Sequence, residues 1–186
     1  MRILGLDPGS IATGYGLVER RGGHVVHVAH GTLRPPRGSS LPDRLAFLHR
    51  EIARIVAEHR PELAAVERIF AGRSVRAALV LGQARGVALA AIAASGIPIS
   101  ELSPQQVKLA VTGSGAAEKT QVQAMVRRLL ALATAPPRDA ADALAVAVCC
   151  AHSGRLWALQ QGHPTRVGER RSGRERNHLL VVRSLK

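Results

Sequence analysis

Aromatic side chains are almost absent. Of 186 residues one is Trp, one Tyr and two Phe. The hydrophobic fraction is nonetheless 46%, so the core must be built from Ala, Val, Leu and Ile. Cysteine is equally scarce. Cys149 and Cys150 are the only two and stand side by side in an apolar helical stretch, where sequence neighbours do not face each other. That argues against a disulfide framework or a cysteine metal cage and for small core residues of a cytoplasmic protein. Long apolar runs are missing too. The most apolar stretch, 86–94, follows Arg85 and is too short to cross a bilayer, and the first residues lack a signal-peptide layout. Acids are the scarce charge, with 13 Asp and Glu against 26 Lys and Arg, a net charge of +13. Such an excess is the footprint of a polyanion binder, nucleic acid foremost.

What is present begins with the first sixteen residues. Ile3, Leu4 and Leu6 read as a buried strand, ended by Asp7 and then Pro8-Gly9-Ser10. Pro8 has no N–H and Gly9 permits positive φ, so the chain turns and a second run, Tyr15 to Val18, completes a hairpin. A third strand is expected over His24–Leu33 and a loop over Arg34–Ser40. Apolar spacing predicts an amphipathic helix over Leu41–His59, ended by Pro61. Leu63–Val66 is a short strand closed by Glu67, as Asp7 closes the first. Ala and Leu dominate Val75–Ala94, a helix whose Gly82 and Gly86 expose backbone one turn apart. That face suits sheet packing or a subunit interface. Ile97–Ile99 reads as a fifth strand. Ser103-Pro104-Gln105-Gln106 is a capping box opening the next helix. Helices follow over Ala117–Leu132 and Asp139–Ala151. The order β-β-β-α-β-α-β-α-α-α predicts an α/β domain, a five-stranded mixed sheet flanked by helices on both faces, over residues 1–158. Residues 159–186 change character to a polar, basic tail, expected to be a mobile arm.

Among the few acids, four stand in telling places. Asp7 and Glu67 end buried strands, and Asp139 and Asp142 share one face at the start of a helix, where the dipole favours the charged carboxylate. Each has an ordinary explanation: a turn former for Asp7, an ion pair with Arg68 for Glu67, an N-terminal helix acid for Asp139 and Asp142. If the four converge instead, two carboxylates about 4 Å apart repel by roughly 4 kcal/mol at an effective dielectric of 20. They must then take up protons or hold a hard divalent cation, Mg²⁺ or Mn²⁺. A pair of such ions can clamp a phosphodiester for hydrolysis.

Six stretches in order, ILGLDPGSIATGYG, AVERIF, LGQARGVALA, SPQQVK, AEKTQVQAMV and DAADALAVAV, resemble the RuvC family of bacterial Holliday-junction resolvases, from about Met1 to His152. The resemblance implies a ribonuclease H-like fold, a homodimer and two Mg²⁺ or Mn²⁺ ions per active site. It further implies paired symmetrical nicks across a four-way DNA junction in recombination and repair, 5′-phosphate ends, and work alongside the RuvA–RuvB branch-migration complex. It assigns Asp7, Glu67, Asp139 and Asp142 as catalytic metal ligands, with Lys119 beside them. It assigns Phe70, Arg73, Arg76, Lys108 and Lys119 to DNA contact, and the Val75–Ala94 helix to the dimer interface. Other readings stay open on sequence alone. The DPGS–TGYG hairpin resembles the phosphate loop of actin-like ATPases and sugar kinases. A non-catalytic DNA-structure binder would share the charge, and a ribonuclease H-like enzyme acting on RNA would share the acids.

Overall fold

The computed structural model describes residues 1–68 and 74–153. Phe70, Arg73 and the basic stretch 159–186 lie outside them. The elements are β1 (Arg2–Asp7), β2 (Thr13–Arg21), β3 (His24–Leu33), α1 (Leu41–His59), β4 (Leu63–Glu67), α2 (Val75–Ala93), β5 (Ile99–Leu102), α3 (Pro104–Thr112), α4 (Lys119–Leu129) and α5 (Arg138–His152). The five strands form one mixed sheet in the order β3-β2-β1-β4-β5. β1–β2 and β2–β3 are antiparallel; β1–β4 and β4–β5 are parallel. The element order and both-sided helical cover follow the sequence expectation.

Local differences have local causes. The fifth strand is Ile99–Leu102 rather than 97–99, because its pairing with Ala64–Glu67 of β4 sets its span. α1 stops at Arg60, a non-glycine C-cap at φ 46 whose N–H reaches the Val56 carbonyl, one residue before Pro61. α4 begins only at Lys119, after a capping box in which the Glu118 N–H is bonded by the Gln121 side chain at 2.8 Å. The capping box of α3 forms as read, with Ser103 and Gln106 each bonding the other's backbone N–H.

Alternation along the strands sends side chains to two separate cores. Leu4, Leu6, Leu17, Ala64 and Val66 pack against α1 and α2. Ile3, Val18, Leu63 and Ala65 pack against α3, α4 and α5. α5 is sandwiched between the sheet and α3 and α4, and every residue from Ala143 to Ala151 is buried. It lies unusually close to the strands. A Cβ on Gly5 would stand 2.2 Å from the Ala143 carbonyl, and one on Gly14 would stand 1.8 Å from that of Asp139. Glycine is required there for space, not for its backbone freedom.

α2 is different. It is long and apolar enough, by length and composition, to cross a membrane. Ala84, Ala88, Ala91 and Ile92 enter the core, while Val75 and Leu79 are 78% and 65% exposed and nothing approaches where a Cβ on Gly82 or Gly86 would be. Residues 75, 79, 82 and 86 fall on one stripe at helical spacing. An exposed apolar stripe on one helix face marks an interaction surface.

Candidate active site

Strand register brings the first two acids together. β1 and β4 are adjacent and parallel, with Leu6 opposite Val66, so Asp7 and Glu67 leave the same end of the sheet side by side. Ile3 and Gly5 face α5, so Asp7, two residues on, points to that face. Leu63 and Ala65 do the same for Glu67. The end of α5 is pinned over this edge, because Asp7 pairs across the sheet with Gly14, and Gly14 is where the Asp139 carbonyl comes closest. Asp139 and Asp142, in the first turns of α5, thereby join the two strand acids.

The turn after Asp7 is locked rather than loose. The fully buried Thr13 hydroxyl donates to the Gly9 carbonyl at 2.8 Å and accepts the Gly9 N–H at 3.2 Å. Gly9 does not occupy the left-handed region expected from the sequence. Its role is steric, since a Cβ there would stand 2.5 Å from the Ala12 carbonyl. At the end of β4, Arg85 donates to the Glu67 backbone carbonyl at 3.2 Å and pairs with Glu101.

The four carboxylates are not equivalent. Among the described residues no hydrogen bond or ion pair reaches the carboxylate of Asp7 or Glu67. Asp142 pairs with the Lys119 ammonium at 3.3 Å, and Asp139 pairs with the Arg34 guanidinium at 2.9 Å. Arg34 was not singled out from the sequence. It opens a Pro-rich loop far from Asp139 along the chain, and no local pattern joins them. The Arg68 partner considered for Glu67 does not pair with it in the structure.

Burial and the neighbouring Glu67, Asp142 and Asp139 charges, only partly offset by Lys119, push the Asp7 carboxyl up to about 7. Burial and Asp142 likewise raise Glu67, against the opposing Lys119 and Lys108. Asp7 has a higher pKa folded than unfolded, so between about pH 4 and 7 the folded state binds more protons and loses stability as pH rises. In EDTA, Asp7→Asn removes that liability. Its melting temperature should gain on the unsubstituted protein progressively from pH 4 to 7 and then level off. A difference that stays flat across this range would mean that Asp7 is not held in such surroundings.

A cavity of about 280 Å³ opens beside these groups, lined in part by Glu67, Lys108, Lys119 and Asp142. Lys108 and Lys119 thus line the cavity together with Glu67 and Asp142. Arg76 lines a different groove, between α1 and α2. Among the described residues no three Asp, Glu, His or Cys side chains close into a ready-made metal cage. The donor set still fits a hard divalent cation. It is all carboxylate oxygen, two members have no partner among the described residues, and burial together with the neighbouring acids disfavours their charged forms until a cation compensates them.

The family model for "Crossover junction endodeoxyribonuclease RuvC" matches residues 3–150. A relative of that name from Syntrophomonas wolfei is 46% identical over 172 residues, 92% of this chain and all of the relative. The solved structure of Thermus thermophilus RuvC is 34% identical, superposes with a TM-score of 0.75, and is matched over 84% of this chain and 97% of that one. T. thermophilus RuvC in complex with its Holliday junction substrate gives a TM-score of 0.79 at 33% identity, over 84% and 96%. The fold is therefore ribonuclease H-like.

Proposed function

The chain belongs to the RuvC family of crossover junction endodeoxyribonucleases, and from that premise we propose that it resolves Holliday junctions by paired symmetrical nicks. One observation carries the reading: two strand-end acids, without a partner among the described residues, meet two helix acids at one edge of a protein whose net charge is +13. The basic surface collects the DNA backbone, and the acidic edge is where it is cut.

Asp7, Glu67, Asp139 and Asp142 hold two Mg²⁺ or Mn²⁺ ions, which when bound supply Lewis-acid stabilisation and water activation for in-line hydrolysis leaving a 5′-phosphate. The chain's own residues do the rest. Asp7 must give up its proton to serve, so activity rises with pH through the neutral range. Lys119, 66% exposed at the cavity rim, is free to turn from Asp142 toward the incoming phosphate and offset charge in the transition state. Lys108, which lines the same cavity, seats the backbone. Phe70, Arg73 and Arg76 are assigned to DNA contact, an aromatic being suited to stacking on an unpaired base. The nuclease domain spans 1–158, and the basic residues 159–186 lie beyond it.

Two coordinated cuts require two sites. The Val75, Leu79, Gly82 and Gly86 stripe of α2 supports a homodimer, where small residues let a partner helix approach and the apolar ones are covered. Leu79→Arg should convert dimer to monomer in sedimentation, without unfolding, since Leu79 is 65% exposed. Paired nicking should fall at least about tenfold relative to single nicks. A dimer surviving that change would place the interface elsewhere. Hand-over from the RuvA–RuvB complex belongs to the same proposal.

Incubation of labelled four-way and duplex DNA with and without divalent ions tests the function. Symmetrical nicks in the junction alone, and only with Mg²⁺ or Mn²⁺, are expected. Binding with no cutting in either ion would reduce the protein to a DNA-structure binder.

A further inference from the structure

Away from the acidic cavity, a second concavity of about 460 Å³ lies where the turn after β1 meets α1 and the first turns of α2. Ser10, Arg44, Ser74 and Arg76 supply its polar lining, the rest of its wall is aliphatic, and no acid contributes. Arg44 is not matched by any motif that carried the resemblance. Its Nε is buried and has no hydrogen-bond partner among the described residues. What the groove shows is an arginine in its wall with no acid beside it, open to an anion that enters. Ser10 is only 8% exposed. Ser74 Oγ accepts the Ala77 N–H, which leaves its own O–H free to donate.

The occupant this chemistry fits is an anion that offers several acceptor oxygens, and a guanidinium is shaped to grip phosphate. The groove also lies close to the proposed cutting edge. Ser10 follows Asp7 by three residues, so their Cα atoms are at most about 11 Å apart, a span of no more than a few nucleotides. We propose that this groove is a second phosphate subsite, centred on Arg44, that grips the backbone of the cleaved DNA strand within about three nucleotides of the scissile phosphate. The proposal rests on the junction-nuclease reading and adds Arg44 and Ser10 to it. It makes Arg44 a positioning residue, because it fixes where the strand enters rather than touching the reacting atoms.

The test is equilibrium binding of a four-way junction to the full chain in EDTA across a salt series, for the unsubstituted protein, Arg44→Gln and Arg44→Lys. Loss of one phosphate contact lowers the slope of log affinity against log salt by about 0.9. Arg44→Gln should show that drop together with about tenfold weaker binding, and Arg44→Lys should keep the slope. A parallel series leaves the protein alone and replaces one phosphate at a time, over the three steps on either side of the cut, by neutral methylphosphonate. One replacement should produce the same drop with the unsubstituted protein and none with Arg44→Gln. An unchanged slope in Arg44→Gln overturns the subsite, and so does weaker binding at constant slope, which would mark Arg44 as structural. If Arg44→Gln fails to fold, the methylphosphonate series decides alone, and no effect at any position overturns the proposal. Cutting of the junction by the unsubstituted protein in Mn²⁺ is scored separately. Its failure counts against the nuclease reading, whereas intact cutting with a negative salt series counts only against the groove.

Discussion

Asp7→Asn is expected to stop junction cutting, with a loss of about a thousandfold or more, while four-way junctions are still bound. Asn keeps the shape of Asp and removes the charge. Among the described residues nothing pairs with the Asp7 carboxylate, and the Glu67, Asp142 and Asp139 charges all disfavour its ionised form. Its charge serves cutting only once a cation arrives, and without one it costs stability. Each 1.36 kcal/mol of lost transition-state stabilisation is a factor of ten in rate, and removing one ligand of a catalytic ion forfeits several kcal/mol. Binding draws instead on the arginines and lysines of the surface, which the substitution leaves alone, and one fewer negative charge near the backbone can only favour it. The check is a gel-shift and a cleavage assay on the same junction. Full cutting by Asp7→Asn would remove the metal-dependent mechanism.

Gly14→Ala is the second large effect. The added Cβ would fall 1.8 Å from the Asp139 carbonyl, where only backbone can give way. α5 must lift from the sheet at the very turn that carries Asp139 and Asp142. Overpacking of this kind costs about 3 kcal/mol, or roughly 10 °C in melting temperature for a domain of this size. A shift of about 1 Å in the reacting groups costs about a hundredfold in rate, so cutting should fall well beyond what any loss of folded protein explains. Melting and single-turnover cleavage at a temperature where the variant is fully folded separate the two. Gly23→Ala, in the turn between β2 and β3 where nothing approaches an added Cβ, is the control for stability and should not lower the melting temperature. A Gly14→Ala protein as stable and active as the original would mean that α5 is not seated where its packing indicates.

The fold was readable because its periodicities are clean. The continuous apolar run of Ile3, Leu4 and Leu6 marks a strand buried on both faces, and the helical spacing of Leu48, Ile52 and Ile55 marks one face of α1. The acids could be singled out for the same reason, since each closes a strand or opens a helix. What joined them could not be read so. Nothing in TGYG says that Gly14 stands under Asp139; that follows from β2 pairing with β1 and α5 crossing both. Arg34 and Arg44 were invisible for a related reason. In a chain with 26 Lys and Arg, one arginine in a loop and one on a helix look like solvated surface until tertiary contacts show one bonded to Asp139 and the other with a buried, unpaired Nε. Gly9 shows the reverse error, a turn glycine whose φ is ordinary and whose missing Cβ is what counts.

The most direct measurement is anomalous diffraction from Mn²⁺ in crystals of the full chain bound to an uncleavable four-way junction. Manganese peaks within coordination distance of the Asp7, Glu67 and Asp142 carboxylates, facing a junction phosphate, are the expected result. Manganese bound only elsewhere, with that phosphate seated at the acids and no ion between them, would contradict it.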